Sequence, residues 1–233
     1  MDSLKPIQLN VSRYYRIKWY VDVAVMIITL PVIGSTILLF MFLTWLTSKG
    51  PVIYTQIRCG RDGKEFKMYK IRSMVLDAES NSGAVWAGKR DPRITTVGRF
   101  MRRLHIDELP QIYNVWRGEM TVIGPRPERP EFVKKLKNEI PCYAYRMSVL
   151  PGMTGYAQLN LPSDSGLEDV RKKLVLDLEY IELVTFWFDM RILMGTALKF
   201  IRFRYFDRLP LKCCGIFQKP ENSSWAEKIG LDE

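Results

Sequence analysis

Twenty-three consecutive positions, Val23 to Trp45 (VAVMIITLPVIGSTILLFMFLTW), carry no charged residue. Wound as an α-helix the segment is about 34 Å long, enough to cross the hydrocarbon core of a bilayer. It exceeds the apolar core of a signal peptide, and no small-residue cleavage site follows it, so it is expected to stay in the mature chain. A fully buried core helix is the bland alternative. The rest of the chain cannot repeat this pattern, because mean hydropathy over all 233 residues is −0.09 and 26% of them are charged. One membrane-associated segment on an otherwise soluble domain is the expected organisation.

Pro31 interrupts the segment: it has no N–H, and its ring presses on the Ile27 carbonyl. Gly34 follows it, and both residues are tolerated in spanning helices. Basic residues flank both ends, Lys5, Arg13, Arg16 and Lys18 before and Lys49, Arg58, Arg61, Lys64, Lys67, Lys70 and Arg72 after. A crossing helix concentrates its basic residues on the cytoplasmic side. A hairpin turning near Pro31 keeps both flanks on one face. The residues alone leave the hairpin and the plain single span both open.

Downstream, Pro51 to Gln56 and Lys64 to Lys70 alternate in polarity around Gly60-Arg61-Asp62-Gly63, which predicts a β-hairpin. Ser80 to Gly88 reads as a polar loop. Helices are expected over Thr96 to Arg103, Glu108 to Trp116, Glu128 to Asn138, Leu167 to Leu183 and Asp189 to Phe206. In the last, Phe200, Phe203, Tyr205 and Phe206 interleave with Lys199, Arg202 and Arg204. That pattern suits a helix at the headgroup interface, with an ordinary core helix as the alternative. The tail from Leu209 to Glu233 is low in pattern and expected to be loosely ordered. The fold class is therefore α+β and mainly helical. The expected divisions are a membrane-associated region over 1–48, a catalytic domain over 49–206 and a C-terminal tail over 207–233.

A net charge of +10 alone admits nucleic acid, membrane or phosphate as partner. Its placement narrows the choice. Thirteen lysines and arginines against five acidic residues put +8 between residues 47 and 105. Four cysteines (Cys59, Cys142, Cys213, Cys214) make neither a disulfide framework nor a zinc motif. Cys213-Cys214 could close a vicinal disulfide, but free thiols fit a reducing cytoplasm. A lone histidine, His105, excludes a His-rich metal site.

The basic stretch ends at a carboxylate pair, Asp107-Glu108, where the next helix should begin. An acidic residue there caps a helix, which is the structural explanation. The same place suits chemistry. A helix start favours phosphate, two adjacent carboxylates suit Mg²⁺ with substrate phosphates, and an ionised Asp can attack phosphorus. Candidate phosphate ligands are Lys70, Arg72, Arg102 and Arg103, together with Arg126 in Gly124-Pro125-Arg126-Pro127. The flanking prolines present Arg126 with little loss of entropy. His105 could assist catalysis, although a lone histidine at a helix start is more often a local hydrogen-bonding residue.

The run HIDELPQIYNVWRGEMTVIGPRPERPEF closely resembles the core of the bacterial sugar transferases, the monotopic phosphoglycosyl transferases. YKIRSM at 69–74, PGMTGYAQLN at 151–160 and KLVLDLEYIELVTFWFDMRIL at 173–193 resemble the same family, over about Arg13 to Phe206. The resemblance implies transfer of a phospho-sugar from a UDP-sugar to polyprenyl (undecaprenyl) phosphate, with UMP released and surface glycan or exopolysaccharide assembly begun. It implies a covalent phospho-sugar on Asp107. Glu108 is implied as its dyad partner for Mg²⁺ and acid–base assistance, and Lys70, Arg102 and Arg126 as phosphate ligands. Asp177 and Tyr180 fall in a stretch near the nucleotide, and Gln158 in one near the sugar or uridine. The membrane segment resembles a re-entrant helix-break-helix, which selects the hairpin, with the break at Pro31. Location on the cytoplasmic face of the bacterial inner membrane follows, with membrane lipids and downstream glycosyltransferases as further partners, no nucleic acid, and a homodimer left open.

The chain departs from the family in three places. Leu30, not Ser, precedes Pro31; Leu150 replaces a basic residue before Pro151, with Arg146 five positions before that proline; and Leu161-Pro162-Ser163-Asp164 replaces a Gly-Arg-Asn type loop. Many members also carry a long N-terminal multi-span region, and the sequence reads as the small catalytic form. Two other classes fit parts of the sequence. One is a Mg²⁺-dependent UDP-sugar hydrolase, which would share the dyad but need no lipid. The other is a non-catalytic, membrane-tethered basic module, which has no use for carboxylates among its cations.

Overall fold

The apolar stretch folds as α1 (Tyr15–Thr47), the one described helix long and apolar enough to cross a membrane. Helical residues continue through Pro31, so the expected helix-break-helix is not present as two separated helices. Side-chain hydroxyls around the proline turn back onto the helix. Thr29 donates to the Val25 carbonyl at 2.9 Å, Ser35 to Pro31 at 2.8 Å and Thr36 to Val32 at 2.7 Å. Such bonds keep polar groups paired along an apolar helix. The middle of α1 faces outward, with Ile28 79% and Val32 72% exposed. Both ends are tied to the same body. Trp19 donates to the Val115 carbonyl at 3.0 Å, Lys18 pairs with Asp189, Phe40 stacks on Phe100 at 5.8 Å, and the Ser48 carbonyl accepts from Arg72 at 2.7 Å.

The computed structural model describes residues 11–76, 78, 91–162, 166–205, 223 and 225–229, without the side chains of 200–205 and 227. The expected loop over 80–88, the Cys213-Cys214 pair, the Ser163-Asp164 departure and the aromatic side chains from Phe200 to Phe206 lie outside the described residues. Cys59 and Cys142 are free thiols.

Strands β1 (Ile53–Cys59) and β2 (Glu65–Ile71) form the expected antiparallel hairpin, with Cys59 opposite Glu65 and Ile53 opposite Ile71. Asp62 and Gly63 take positive φ in the turn, the region that short polar residues and glycine tolerate. Phe66 and Met68 are buried on one face of β2. By the two-residue period of a strand, Lys70 lies on that same inward face.

Helix α2 (Thr96–Arg103) begins at Thr95, whose hydroxyl accepts from the Gly98 N–H at 2.9 Å. A Cβ on Gly98 would collide with the Ser73 carbonyl, so only glycine lets α2 settle on the end of the hairpin. A 3-10 segment (Ile106–Gln111) and α3 (Ile112–Trp116) follow. The expected helix thus starts two residues earlier, in the tighter 3-10 form, with Pro110 inside it. Strands β3 (Thr121–Ile123) and β4 (Gly152–Thr154) pair in parallel, an element the sequence did not announce.

Around them lie α4 (Pro130–Glu139), α5 (Tyr156–Asn160), α6 (Leu167–Leu183) and α7 (Phe186–Tyr205). Helix α6 is the core: Leu174, Val175, Leu176, Leu178 and Ile181 are at most 1% exposed. The tail departs from its expectation where it is described. Trp225 is 1% exposed and donates to Glu182 at 3.0 Å, and α8 (Ala226–Ile229) packs on α6. One large aromatic anchors this segment without any periodic pattern to announce it.

Candidate active site

Asp107 and Glu108 leave a sharp turn. His105 sits in the left-handed region (φ 52°), a conformation histidine visits more readily than branched residues, and the 3-10 segment starts directly after it. His105 is exposed, and its backbone makes the turn that aims the dyad inward. Glu108 becomes the centre of a cationic bridge. Lys70 reaches its Oε1 at 2.8 Å from β2, and Arg126 grips both oxygens at 2.7 and 3.2 Å. Burial alone would raise the Glu108 pKa, but Arg126 and Lys70 together hold it well below the usual carboxylate range. Lys70 has the opposite balance. Burial lowers its pKa, and Glu108 only partly restores it.

Asp107 is 6% exposed, and its carboxylate makes no hydrogen bond or ion pair among the described residues. Burial, then the neighbouring Glu108, raises its pKa, against the pull of Lys70, Arg102 and His105. The two adjacent acids are thus driven apart: Glu108 is locked as an anion, and Asp107 is an unpaired, more basic carboxylate.

Four successive carbonyls hold the Arg126 loop. Pro125 accepts from the Gly152 N–H at 2.8 Å, Arg126 from Arg146 at 2.9 Å, Pro127 from Arg58 at 3.0 Å and Glu128 from the Cys59 N–H at 2.9 Å. Three different segments, β1, β4 and the stretch around Arg146, therefore fix a loop with no repeating structure of its own. Gly124 and Gly152 pack backbone to backbone, and a Cβ on Gly152 would strike the Gly124 main chain. The prolines and glycines in this loop are explained by close approach as much as by stiffness.

The other expected residues divide. Arg102 leaves α2 and donates to Ser73 Oγ at 2.8 Å, beside the dyad electrostatically. Arg103 stands at the exposed end of α2. Arg72 is 6% exposed and bonds the Ser48 carbonyl at the end of α1, so it anchors the membrane helix in this structure, with Nε and Nη1 buried and unbonded. Tyr180 is 1% exposed, with its hydroxyl 2.9 Å from the Ile123 carbonyl and 2.7 Å from Asp189. It sits in the core with its hydroxyl turned toward β3. Asp177, one turn earlier on α6, pairs with Arg146 at 2.7 Å. Arg126, Arg146, Gln158, Lys173 and Asp177 line a partly open cleft with Phe132 on its wall.

Arg146 is the residue the sequence undervalued. It holds Asp177 and the Arg126 carbonyl together, and its offset of five from Pro151 concealed that. Gln111 is also notable, because its Nε2 is buried without a partner one turn beyond Asp107.

Among the described residues no three acidic, histidine or cysteine side chains cluster as a metal cage. The unpaired Asp107 fits a Mg²⁺ that completes its shell with substrate phosphates and water. Glu108 fits less well than expected, since both of its oxygens are already taken by Lys70 and Arg126.

A helix long and apolar enough to cross a membrane thus stands beside a carboxylate bridged by Lys70 and Arg126. The family model of the bacterial sugar transferases matches residues 13–203, and the chain belongs to that family. A Bacillus subtilis protein provisionally named an undecaprenyl-phosphate N-acetylgalactosaminyl 1-phosphate transferase is 52% identical over 136 residues, 58% of this chain and 75% of its own. The UDP-N-acetylgalactosamine-undecaprenyl-phosphate N-acetylgalactosaminephosphotransferase of Aeromonas hydrophila is 40% identical over 183 residues, covering 78% of this chain and 43% of its own. The exopolysaccharide production protein PSS of Rhizobium leguminosarum is 40% identical over 172 residues, 71% of this chain and 86% of its own. The chain thus spans most of two of these relatives and under half of the third.

Proposed function

We propose that the chain transfers a phospho-sugar from a UDP-sugar to a polyprenyl phosphate of the undecaprenyl type, at the cytoplasmic face of a bacterial inner membrane. The observation that carries this reading is the unpaired, buried Asp107 carboxylate next to the Lys70–Glu108–Arg126 bridge. In the first step an Asp107 oxygen attacks the phosphorus that bears the sugar. The P–O bond to the uridine phosphate breaks, and UMP leaves with the bridging oxygen. In the second step a phosphate oxygen of the polyprenyl phosphate attacks the same phosphorus, the bond to Asp107 breaks and the carboxylate returns. The product is a polyprenyl diphosphate sugar, the starting unit of a surface glycan. A raised pKa makes Asp107 the stronger nucleophile once ionised.

Lys70, Arg102 and Arg126 offer charge to the phosphate oxygens, and Glu108 keeps Lys70 and Arg126 converged rather than moving protons itself. Mg²⁺ held by Asp107 and the donor phosphates would neutralise charge at the diphosphate. Gln158 and Asp177, in the cleft that Arg126 also lines, are assigned to the donor.

The same reading makes α1 re-entrant. Its two ends bond one domain while its middle offers large apolar side chains, each gaining about 1.5–3 kcal/mol on leaving water. A bilayer about 30 Å thick has no room between ends tied to one body. Two experiments test the proposal. Nanodisc-embedded protein with Mg²⁺, polyprenyl phosphate and a panel of UDP-sugars should release UMP beyond one equivalent per protein only with lipid, and Asp107→Asn should abolish release. Cysteines placed at Arg16 and Lys49 should be labelled from the same side of the membrane. Multiple-turnover release without lipid would support a hydrolase instead.

A further inference from the structure

Three charged side chains sit in the interior away from the dyad: Lys18 (2% exposed), Asp22 (4%) and Asp189 (1%). Lys18 pairs with Asp189 and lies 3.6 Å from Asp22. This is a costly arrangement, two carboxylates on one buried ammonium, and the transfer steps do not use it. Its hydrogen bonds converge on β3. The Thr121 hydroxyl donates to Asp22, the Val122 N–H donates to the same oxygen at 3.3 Å, and the Ile123 carbonyl lies 2.9 Å from the Tyr180 hydroxyl, itself 2.7 Å from Asp189. Thr121 and Val122 are thus bonded to Asp22 directly and Ile123 is linked to Asp189 through Tyr180, and Arg126 stands three residues beyond the end of β3.

We propose that Lys18, Asp22 and Asp189 are positioning residues for Arg126, so that seating α1 on the domain sets the register from which the Arg126 loop departs. The cationic arm on Glu108 is then conditional on the membrane helix being docked. The β4 side supports this assignment. The Thr121 N–H reaches the Pro151 carbonyl at 2.8 Å and the Gly124 N–H the Thr154 carbonyl at 2.9 Å, so β4 fixes one edge of β3 and the cluster fixes the other.

The inference rests on the transfer activity proposed above for one of its two readouts. The variants are Thr121→Val, which removes the Asp22 bond at nearly constant shape, and Thr121→Ser, which keeps it. The full chain in nanodiscs is assayed well below its Tm. Thr121→Val should lower kcat about 10-fold through misplacement of Arg126, and Thr121→Ser should stay within about twofold of wild type. In an Arg126→Lys background, Thr121→Val should change kcat by less than about twofold. Independently of activity, amide exchange over 121–127 should accelerate in Thr121→Val while exchange over 53–71 stays at the wild-type rate. Unchanged kcat and exchange in Thr121→Val, an equal loss in both backgrounds, or faster exchange everywhere would overturn the proposal. A wild type that releases no UMP would instead defeat the transferase reading, and the exchange experiment would still decide this one.

Discussion

Glu108→Gln is the sharpest perturbation of the site, because it keeps the shape and removes the charge that holds two cations together. Glu108 accepts one bond from Lys70 at 2.8 Å and two from Arg126 at 2.7 and 3.2 Å. Hydrogen bonds to charged groups contribute about 1.5–3 kcal/mol each, and a glutamine amide can present only its oxygen to them. Arg126 is 38% exposed and can relax into water, so its share is the smaller one, whereas Lys70 at 15% cannot. We expect a loss near 3 kcal/mol, or about 10²-fold in kcat, with a smaller change in KM for the donor. Lys70 should also lose its proton at lower pH, since the partner that offsets burial is gone, so the alkaline limb of kcat moves down in pH.

Stability should follow linkage. The Glu108 pKa is depressed in the fold, so its stabilisation is full above the ordinary value of 4.5 and fades as pH falls through the folded value. The Tm gap between wild type and Glu108→Gln should therefore narrow on acidification. The assay is UMP release in nanodiscs across pH, with Tm by calorimetry on the same samples. A kcat within twofold of wild type and a pH-independent Tm gap would show that the Glu108 charge does not hold Lys70 and Arg126 in place.

Other expectations concern single features. Asp107→Asn should abolish transfer yet leave Tm unchanged or higher, because burial raises the Asp107 pKa and the fold disfavours its charge. Gly152→Ala should lower both Tm and activity, since its Cβ strikes the Gly124 backbone and opens the Arg126 loop. Trp225→Ala should cost about 3–5 kcal/mol, a fall in Tm of roughly 6–20 °C by thermal unfolding. Chelating divalent cations should stop UMP release and Mg²⁺ should restore it, whereas full turnover in chelator would remove Mg²⁺ from the account.

Local pattern carried much of this structure. The β1–β2 hairpin, α2 and α6 follow from alternation and helical spacing, and α2 and α6 keep their expected bounds. Asp107, Glu108, Arg126 and Lys70 were visible as residue types in unusual settings, and the fold brings the last three into direct contact. What local pattern could not show is long-range. A three-residue parallel pair such as β3–β4 has no periodicity to detect. Lys18 and Asp22 look like ordinary flanking charges until Asp189, more than 160 residues away, closes on them. Arg72 and Tyr180 carried side chains suited to substrate, and nothing local showed that Arg72 would also bond Ser48, or Tyr180 bond Ile123 and Asp189. Trp225 is a single anchor in a stretch with no pattern around it.

Transfer through Asp107 requires a covalent phospho-sugar on that residue. Nanodisc-embedded protein is incubated with a UDP-sugar and Mg²⁺ without lipid acceptor, then quenched and digested for mass spectrometry. One sugar-phosphate should be added to the peptide containing Asp107, with one UMP released per protein, and the adduct should be lost when polyprenyl phosphate is supplied. No adduct under conditions of active transfer, or an adduct on any other residue, would contradict transfer through Asp107.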